Sequence, residues 1–308
     1  MSLNCLSQEG PCGSLKVLRH SFIHFPGVGS TTEKHLWEAG IRTWDDFRAA
    51  TTVPLRASGM RDVICARIDE SRERLETRDG AFFSACFTSH DRWRIYSDFR
   101  DQAAFLDIET TGLSPQSSRI TMVGVLDREG YRAFVAGENL DELPRAMERY
   151  SLIVTYNGAS FDIPFVEYFF GKIFRHAAHL DLRYPLKRLG YGGGLKQIER
   201  ELRVARPSEL SELGGFEAVI MWQMWERGER GALDTLVRYN AEDVASLPAL
   251  ADIAYNELLD DIPFPVEPVR LWNRPVIDLP YDPSVVRRLA GAKVWDRPFT
   301  EQRGVRTY

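Results

Sequence analysis

The spacing of hydrophobic residues changes character near residue 103, from helical in the first part of the chain to strand-like after it. Apolar residues recur every three or four positions in segments that predict three short helices between residues 22 and 78, and Thr43 is a candidate N-cap for the second helix. After residue 103, short apolar runs that end in turns predict strands at 103–109, 119–127, 131–137, 151–158 and 179–182. Helices are predicted at 138–150, 160–170, 195–204 and 233–259. This order predicts an α/β layer domain with a mixed sheet, preceded by a small all-α unit.

Four regions follow from these patterns. They are a poorly ordered leader over 1–20, the helical unit over 21–80, the α/β domain over 81–261 and a Pro-rich extension of irregular structure over 262–308. Within the domain, 81–102 is expected to be a connector without a strong structural preference. The segment from Pro26 to Gly29 and the helix after it resemble a helix-hairpin-helix element, whose backbone N–H groups contact a phosphate. Packing against the rest of the chain is the alternative.

Composition places the chain among ordinary globular proteins, with 44% hydrophobic and 27% charged residues in 308. The formal net charge of −5 does not indicate a nucleic-acid-binding protein. A metal site collects carboxylates that bound cations neutralise, however, so local charge is the better guide. Four cysteines without a CxxC pair exclude zinc-ligand spacing and a disulfide scaffold. No apolar run is long enough to span a membrane, so we expect a soluble cytoplasmic protein.

Asp107 and Glu109 are the first candidate functional residues. They lie two apart on a predicted strand, so their side chains point to the same face while Ile108 points into the core. Two carboxylates on one face repel each other, and burying them is costly unless a positive charge lies between them. A divalent cation with oxygen ligands is the simplest such charge.

Two further acidic motifs follow along the chain. Asn157 lies four residues before Phe161 and Asp162, where a buried strand gives way to a helix, and Tyr239 lies four residues before Asp243 on a late helix. Taken alone, each has a simpler interpretation: an aspartate that interacts with a helix dipole, and a core tyrosine beside a solvated acid. As an ordered set with Asp107 and Glu109 they are much more specific.

The set resembles the DEDD, or DnaQ-like, superfamily of 3′→5′ exonucleases in its tyrosine branch. The motif sequences most resemble those of YprB-like ribonuclease H-like proteins and of the proofreading domains of family B polymerases. The resemblance covers roughly residues 103 to 258 and implies a ribonuclease H-like fold, with a mixed five-stranded sheet flanked by helices. It implies that two Mg²⁺ or Mn²⁺ ions are bound by four carboxylates, those of Asp107, Glu109, Asp162 and Asp243. Tyr239 takes the place of the residue that orients the attacking water.

The resemblance also implies contacts with substrate. Thr110 and Gly112 shape the turn that meets the terminal nucleotide, Leu113 or Phe161 wedges or stacks its base, and Asn157 belongs to the same substrate-binding set. Asp181 matches an acidic position of some relatives, but it could equally cap the following helix and is not counted as catalytic.

A basic segment between residues 183 and 206 is a candidate track for a nucleic-acid backbone. It contains seven basic and two acidic residues, a local net charge of +5, around Tyr191 and three glycines. Lys187, Arg188 and Lys196 are the residues expected to contact substrate. A solvated helix face is the alternative.

Together these features predict a metal-dependent exonuclease that hydrolyses phosphodiester bonds from a free 3′ end. Single-stranded DNA is the favoured substrate and RNA the alternative, because the metal site contacts phosphate and only contacts to the 2′-position distinguish the sugars. The competing hypotheses are an exoribonuclease and a nucleic-acid-binding adaptor without catalysis.

Overall fold

The computed structural model describes residues 16–295, apart from 56, 58, 205–207 and 212, and gives the backbone alone at 208 and 291–295. Residues 1–15 of the predicted leader therefore lie outside the described residues. The last residues assigned to that leader form a 3-10 helix, Val17–His20, in which Val17 and Leu18 are fully buried.

A mixed five-stranded sheet forms the centre of the molecule. Its strands are β1 Ala103–Thr110, β2 Ile120–Asp127, β3 Gly130–Val135, β4 Leu152–Thr155 and β5 Ala178–Asp181. Their order is β3-β2-β1-β4-β5, in which the first two pairs are antiparallel and the last two are parallel. The predicted fold class is confirmed: a mixed sheet flanked by helices, with further helices at the N-terminus.

Three helices precede the sheet much as the apolar spacing predicts: α1 Ser30–Glu38, α2 Trp44–Ala49 and α3 Met60–Glu76. Thr43 caps α2 in a capping box, with its hydroxyl accepting from the backbone N–H of Asp46. Glu33 is buried and accepts from the N–H of Phe22 at 2.6 Å and from Arg94 at 3.0 Å. This buried ion pair joins α1 to the segment just before the sheet, which favours the packing interpretation of the N-terminal hairpin.

The prediction of a connector over 81–102 is wrong. This segment contains α4 Gly80–Cys86 and α5 Tyr96–Phe99, with 3-10 helices Arg92–Ile95 and Arg100–Gln102 on either side of α5. Trp93, Tyr96 and Phe99 are fully buried in one core with the N-terminal helices and one face of the sheet. Since α and 3-10 turns alternate here, the apolar residues never keep a single helical period, and the pattern is hidden in the sequence.

Helices on and around the sheet complete the fold. They are α6 Leu143–Met147, α7 Asp162–Phe170, α8 Arg183–Arg188, α9 Leu195–Glu201, α10 Gly215–Glu226, α11 Arg230–Leu258 and α12 Pro283–Trp295. Helix α11 continues through Pro248 and packs against β1 and β2. Helix α12 corrects the prediction of an irregular tail, because Pro283 occupies the first helical position, where a missing N–H costs nothing.

Residues 269–282, called here the C-terminal strap, run back along α11 without regular secondary structure. The amide of Asn256 pairs with both backbone groups of Val269, and the Trp272 N–H donates to Asp252. Further along, Arg274 donates to Glu242 and the Asp282 N–H donates to Thr235. The strap therefore holds most of α11 by polar contacts.

No helix in the described part of the chain is both long enough and apolar enough to cross a membrane.

Candidate metal centre

Strand β1 presents Asp107 and Glu109 on one face, and Ile108 packs into the hydrophobic core on the other. Asp107 is half-buried and Glu109 is buried. Between Glu109 and Thr110 the pairing with β2 shifts in register, so the strand is irregular at the point where the acidic pair ends. Such irregularities bend a strand and redirect its side chains, as is common beside functional sites.

Helix α11 brings a third carboxylate to this pair. Ligand oxygens of Asp107, Glu109 and Asp243 lie within 4.8 Å of one another. Among the described residues, no other group of three or more His, Cys, Asp or Glu side chains converges in this way. An all-oxygen donor set of this spacing suits Mg²⁺ or Mn²⁺ better than zinc.

Asp162 lies beside the three-carboxylate group rather than within it. It is the first residue of α7 and is buried, and its Oδ1 accepts from the backbone N–H of Ile108 at 3.1 Å. Burial raises its pKa to about 7, and the negative charge of Asp181 acts in the same direction. The backbone hydrogen bond favours the charged form but does not offset the burial.

The pKa of Glu109 is raised as well, and to a higher value than that of Asp162. Burial and, to a lesser extent, the negative charge of Asp243 raise the pKa of the Glu109 carboxyl to about 8. A hydrogen bond from Asn240 and the positive charge of Lys196 oppose this rise without cancelling it. In the absence of a cation, Glu109 and Asp162 therefore hold their protons more tightly than exposed carboxyl groups do. A divalent cation would replace those protons, which is the electrostatic behaviour expected of a metal site.

Tyr239 and Asp243 share a face of α11, and the tyrosine hydroxyl is hydrogen-bonded to the carboxylate. Burial and the surrounding carboxylates raise the pKa of Tyr239 far above its ordinary value, so the hydroxyl stays protonated. The ammonium of Lys196 lies 5.1 Å from the centroid of the tyrosine ring and donates to the carbonyl of Ser211 at 3.1 Å. Helix α9 is held in this position by Ser246 of α11, which donates to Glu199 at 2.5 Å.

The candidate metal residues open onto a cleft of about 440 Å³. Its walls include all five of the substrate-contact residues predicted from the acidic motifs, which are Thr110, Gly112, Leu113, Asn157 and Phe161. The Thr110 hydroxyl donates to the carbonyl of Gly112 at 2.6 Å and so shapes the turn, while Leu113 is 88% exposed at the cleft. Gly215 and Val219 of α10 form part of the walls and were not predicted.

The turn between β4 and α7 is held by Asp181. Its carboxylate accepts from the backbone N–H groups of Asn157 at 2.7 Å, Ala159 at 3.0 Å and Arg183 at 3.0 Å. These bonds support Asn157 in a left-handed conformation with φ of +65°. Asp181 therefore acts on the cleft through the backbone of this turn.

The basic segment does not approach the cleft as a unit. Arg188 pairs with Asp261 at 2.6 Å and with Asp91 at 3.5 Å, and Lys187 is exposed near the end of α8; neither lines the cleft. Arg206 falls outside the described residues. Of the three predicted contacts, Lys196 alone is placed against the acidic group.

Asn240 belongs to the centre but was missed from the sequence. It is fully buried, and its Nδ2 donates to Asp107 Oδ2 at 2.9 Å and to Glu109 Oε1 at 3.3 Å. In the sequence it stands between Arg238 and Glu242 as one more polar residue of the helix, and no local pattern distinguishes it. Its role depends on the contacts that α11 makes with β1.

Residues 104–255 match the family model described as the RNase_H superfamily, and the sheet with its flanking helices has a ribonuclease H-like fold. Similar solved structures include the family B DNA polymerase from the hyperthermophilic archaeon Pyrobaculum calidifontis, with 18% identity over 51% of this chain and a TM-score of 0.39. The chain spans 24% of that polymerase. Brucella melitensis NrnC with bound Mg²⁺ and bound to pGG is 22% identical over 54% of this chain and 78% of its own, with TM-scores of 0.38 and 0.39. No curated protein sequence matches the chain.

Proposed function

We propose that this chain, which carries a ribonuclease H-like fold and matches the RNase_H superfamily over residues 104–255, is a metal-dependent nuclease that removes nucleotides from the 3′ end of a nucleic acid. The observation that carries the proposal is the convergence of Asp107, Glu109 and Asp243 within the matched segment, with Tyr239 hydrogen-bonded to one of them. It supports the proposal that the chain belongs to the tyrosine branch of the DEDD exonucleases.

The donor set is proposed to bind two divalent cations. Asp107, Glu109 and Asp243 supply oxygens that lie close enough together to bind one ion, and Asp162 is proposed to complete the set for the second. The raised pKa of Glu109 supports this assignment, because it shows that the buried carboxylates lack sufficient positive charge of their own. When bound, two such ions polarise the phosphodiester, acidify the attacking water and stabilise the leaving 3′-oxygen.

Tyr239 is proposed to orient the attacking water rather than to take its proton. Its raised pKa keeps the hydroxyl neutral throughout the physiological range, so it can donate or accept a hydrogen bond but cannot act as a base. Asp243, one turn along the same helix, keeps that hydroxyl directed into the acidic group. The role proposed for Tyr239 is therefore geometric.

The substrate is proposed to enter as a single strand. A cleft of about 440 Å³ has room for little more than the terminal nucleotide, and the exposed Leu113 offers an apolar surface for its base. Lys196 supplies positive charge close to the carboxylates and is proposed to contact a phosphate of the substrate. Single-stranded DNA is the favoured substrate, as the sequence predicts, and RNA is tested beside it.

The decisive experiment uses DNA and RNA oligonucleotides of one sequence, labelled at the 5′ end, with Mg²⁺ or Mn²⁺. The proposal predicts a ladder that shortens from the 3′ end, loss of that ladder in Asp107→Asn, and full activity in the control Asp141→Asn, which changes an exposed acid. A blocked 3′ terminus should prevent degradation.

Three outcomes contradict the proposal in different ways. Immediate release of the labelled 5′ nucleotide reverses the polarity. Full activity in Asp107→Asn would show that the reaction does not depend on the candidate metal centre. Binding of either oligonucleotide without any degradation makes the chain a nucleic-acid-binding adaptor.

A further inference from the structure

We propose that Asn240 is a positioning residue of the metal centre: a neutral clamp that holds Asp107 and Glu109 at the spacing that a cation requires. This inference rests on the proposed function only in taking these carboxylates as metal ligands. The role comes from the contacts of the Asn240 side chain: its nitrogen donates to both carboxylates and lies 3.5 Å from the carbonyl of Asp107, and its oxygen accepts from Tyr131.

The nitrogen side of the amide joins the two acids of β1. An asparagine Nδ2 carries two N–H donors, and here it lies 2.9 Å from Asp107 Oδ2 and 3.3 Å from Glu109 Oε1. Each carboxylate thus receives one donor from the same planar group. Asn240 is fully buried, so water is poorly placed to replace these bonds.

The oxygen side of the amide is fixed by the neighbouring sheet. Asn240 Oδ1 accepts from the hydroxyl of Tyr131 on β3 at 2.9 Å. When they bind a cation, Asp107 and Glu109 are ionised and only accept hydrogen bonds, so the amide must direct its nitrogen toward them. The Tyr131 hydroxyl stabilises that orientation from the other end.

The sheet leaves space for the clamp at Gly124. This residue of β2 is paired with Asp107, and a Cβ added to it would lie 1.7 Å from Asn240 Oδ1 and 2.9 Å from Asn240 Cγ. Its backbone is not in the left-handed region that favours glycine. The absence of a side chain is therefore required by the asparagine and not by the conformation of the strand.

The neutrality of the amide is essential to this role. A lysine or arginine in the same place would also bridge the acids, but its charge would neutralise one of them and weaken the attraction for a cation. Asparagine supplies hydrogen bonds and leaves both negative charges to the metal. Partners that orient metal ligands in this way typically change affinity 10- to 100-fold when they are mutated.

The test measures Mn²⁺ binding to the full chain by isothermal titration calorimetry, without nucleic acid. Asn240→Leu, which keeps the volume and removes both donors, should raise the Kd for Mn²⁺ by roughly 10- to 100-fold. Tyr131→Phe should raise it less, because the amide remains but can rotate. The double variant should be close to Asn240→Leu alone, because Tyr131 acts through Asn240.

Thermal unfolding in EDTA separates positioning from a purely structural role. An unchanged Kd in Asn240→Leu, with a lowered Tm in EDTA, overturns the inference, and so does an additive effect of the two substitutions. If Asn240→Leu does not fold, Tyr131→Phe still decides, because an unchanged Kd there contradicts the clamp.

The same titration distinguishes this inference from the proposed function. If the wild-type chain binds Mn²⁺ and Asn240→Leu binds it weakly, but no nucleic acid is degraded, the clamp stands and the nuclease proposal fails. If the wild-type chain does not bind Mn²⁺ at all, the inference is overturned.

Discussion

When divalent cations are removed, the stability that Glu109 contributes to the folded protein should be lost as the pH rises from 6 to 8.5. The sign follows from its pKa, which burial raises from an ordinary value of 4.5 to about 8. An acid with a raised folded-state pKa binds more protons in the folded than in the unfolded state. Its contribution to stability is therefore complete below pH 4.5 and is lost as the pH rises through 8.

The size of the effect follows from the same two pKa values. At pH 6 the folded state retains a proton that the unfolded state has lost, and at pH 8.5 it has largely lost it too. One pKa unit is equivalent to about 1.4 kcal/mol, so the contribution of Glu109 to the free energy of unfolding should fall by about 2.5 kcal/mol over this interval. For a chain of this size that corresponds to roughly 5 °C in Tm.

The assay is thermal unfolding in EDTA at the two pH values, comparing wild type with Glu109→Gln. The variant replaces the titrating carboxyl by a neutral group of the same shape, so the Tm of wild type relative to that of the variant should fall by roughly 5 °C between the two pH values, and the variant should have the higher Tm at pH 8.5. Burial lowers the pKa of His20, His24 and His179, which makes stability rise with pH, and raises the pKa of Asp162, which acts in the same direction as Glu109. These groups are present in both proteins and cancel in the difference.

Adding Mn²⁺ provides the second half of the prediction. The cation should raise the Tm of wild type more at pH 8.5 than at pH 6, because it competes with fewer protons. It should hardly stabilise Glu109→Gln. Identical pH dependence of the two proteins in EDTA would refute the reasoning, and so would a Mn²⁺ effect that is larger at pH 6.

Three other predictions test separate parts of the centre. Tyr239→Phe should lower kcat while the Kd for Mn²⁺ stays nearly unchanged, and a large loss of metal binding would reassign the tyrosine as a ligand support. Lys196→Met should weaken oligonucleotide binding and reduce the salt dependence of that binding by the equivalent of about one phosphate contact. It should also move the acid limb of the pH–rate profile to higher pH, because this lysine lowers the pKa of Glu109. An unchanged salt dependence would place the lysine away from the substrate. Arg274→Met should cost about 2–3 kcal/mol in urea unfolding, since Glu242 is fully buried and keeps Arg238 as its other partner. The exposed pair in Arg288→Met should cost less than about 1 kcal/mol, and equal costs would contradict the importance of burial.

Much of the site could be predicted because it depends on local rules. The two-residue period of a strand places Asp107 and Glu109 on one face, and the four-residue spacing of a helix places Tyr239 beside Asp243. The mixed sheet of the α/β domain follows from the order of strands and helices along the chain. These features need no knowledge of distant contacts.

What could not be predicted depends on contacts between segments that are far apart in the chain. Asn240 becomes a clamp only when α11 lies against β1 and Gly124 leaves it room, and no pattern within either segment indicates this. Lys196 and Arg188 are basic residues of the same segment and cannot be distinguished by sequence. In the structure, Lys196 lies over the ring of Tyr239, whereas Arg188 pairs with Asp261. The charge of a basic segment indicates the class of its binding partner, whereas tertiary packing decides which of its basic side chains can contact that partner.

The contacts of the C-terminal strap indicate which fragments of the chain would keep the candidate metal centre intact. Two acids of α11 that are 0% exposed take partners from outside the segment that matches the RNase_H superfamily. Glu242 pairs with Arg274 of the strap as well as with Arg238, and Asp252 pairs with Arg100 and accepts a hydrogen bond from Tyr96. A fragment trimmed to residues 104–255 would retain every proposed catalytic side chain, but Asp252 would lose its arginine and Glu242, which adjoins Asp243, would keep Arg238 alone. Excision at the edges of the matched segment would therefore weaken the support of the candidate metal centre.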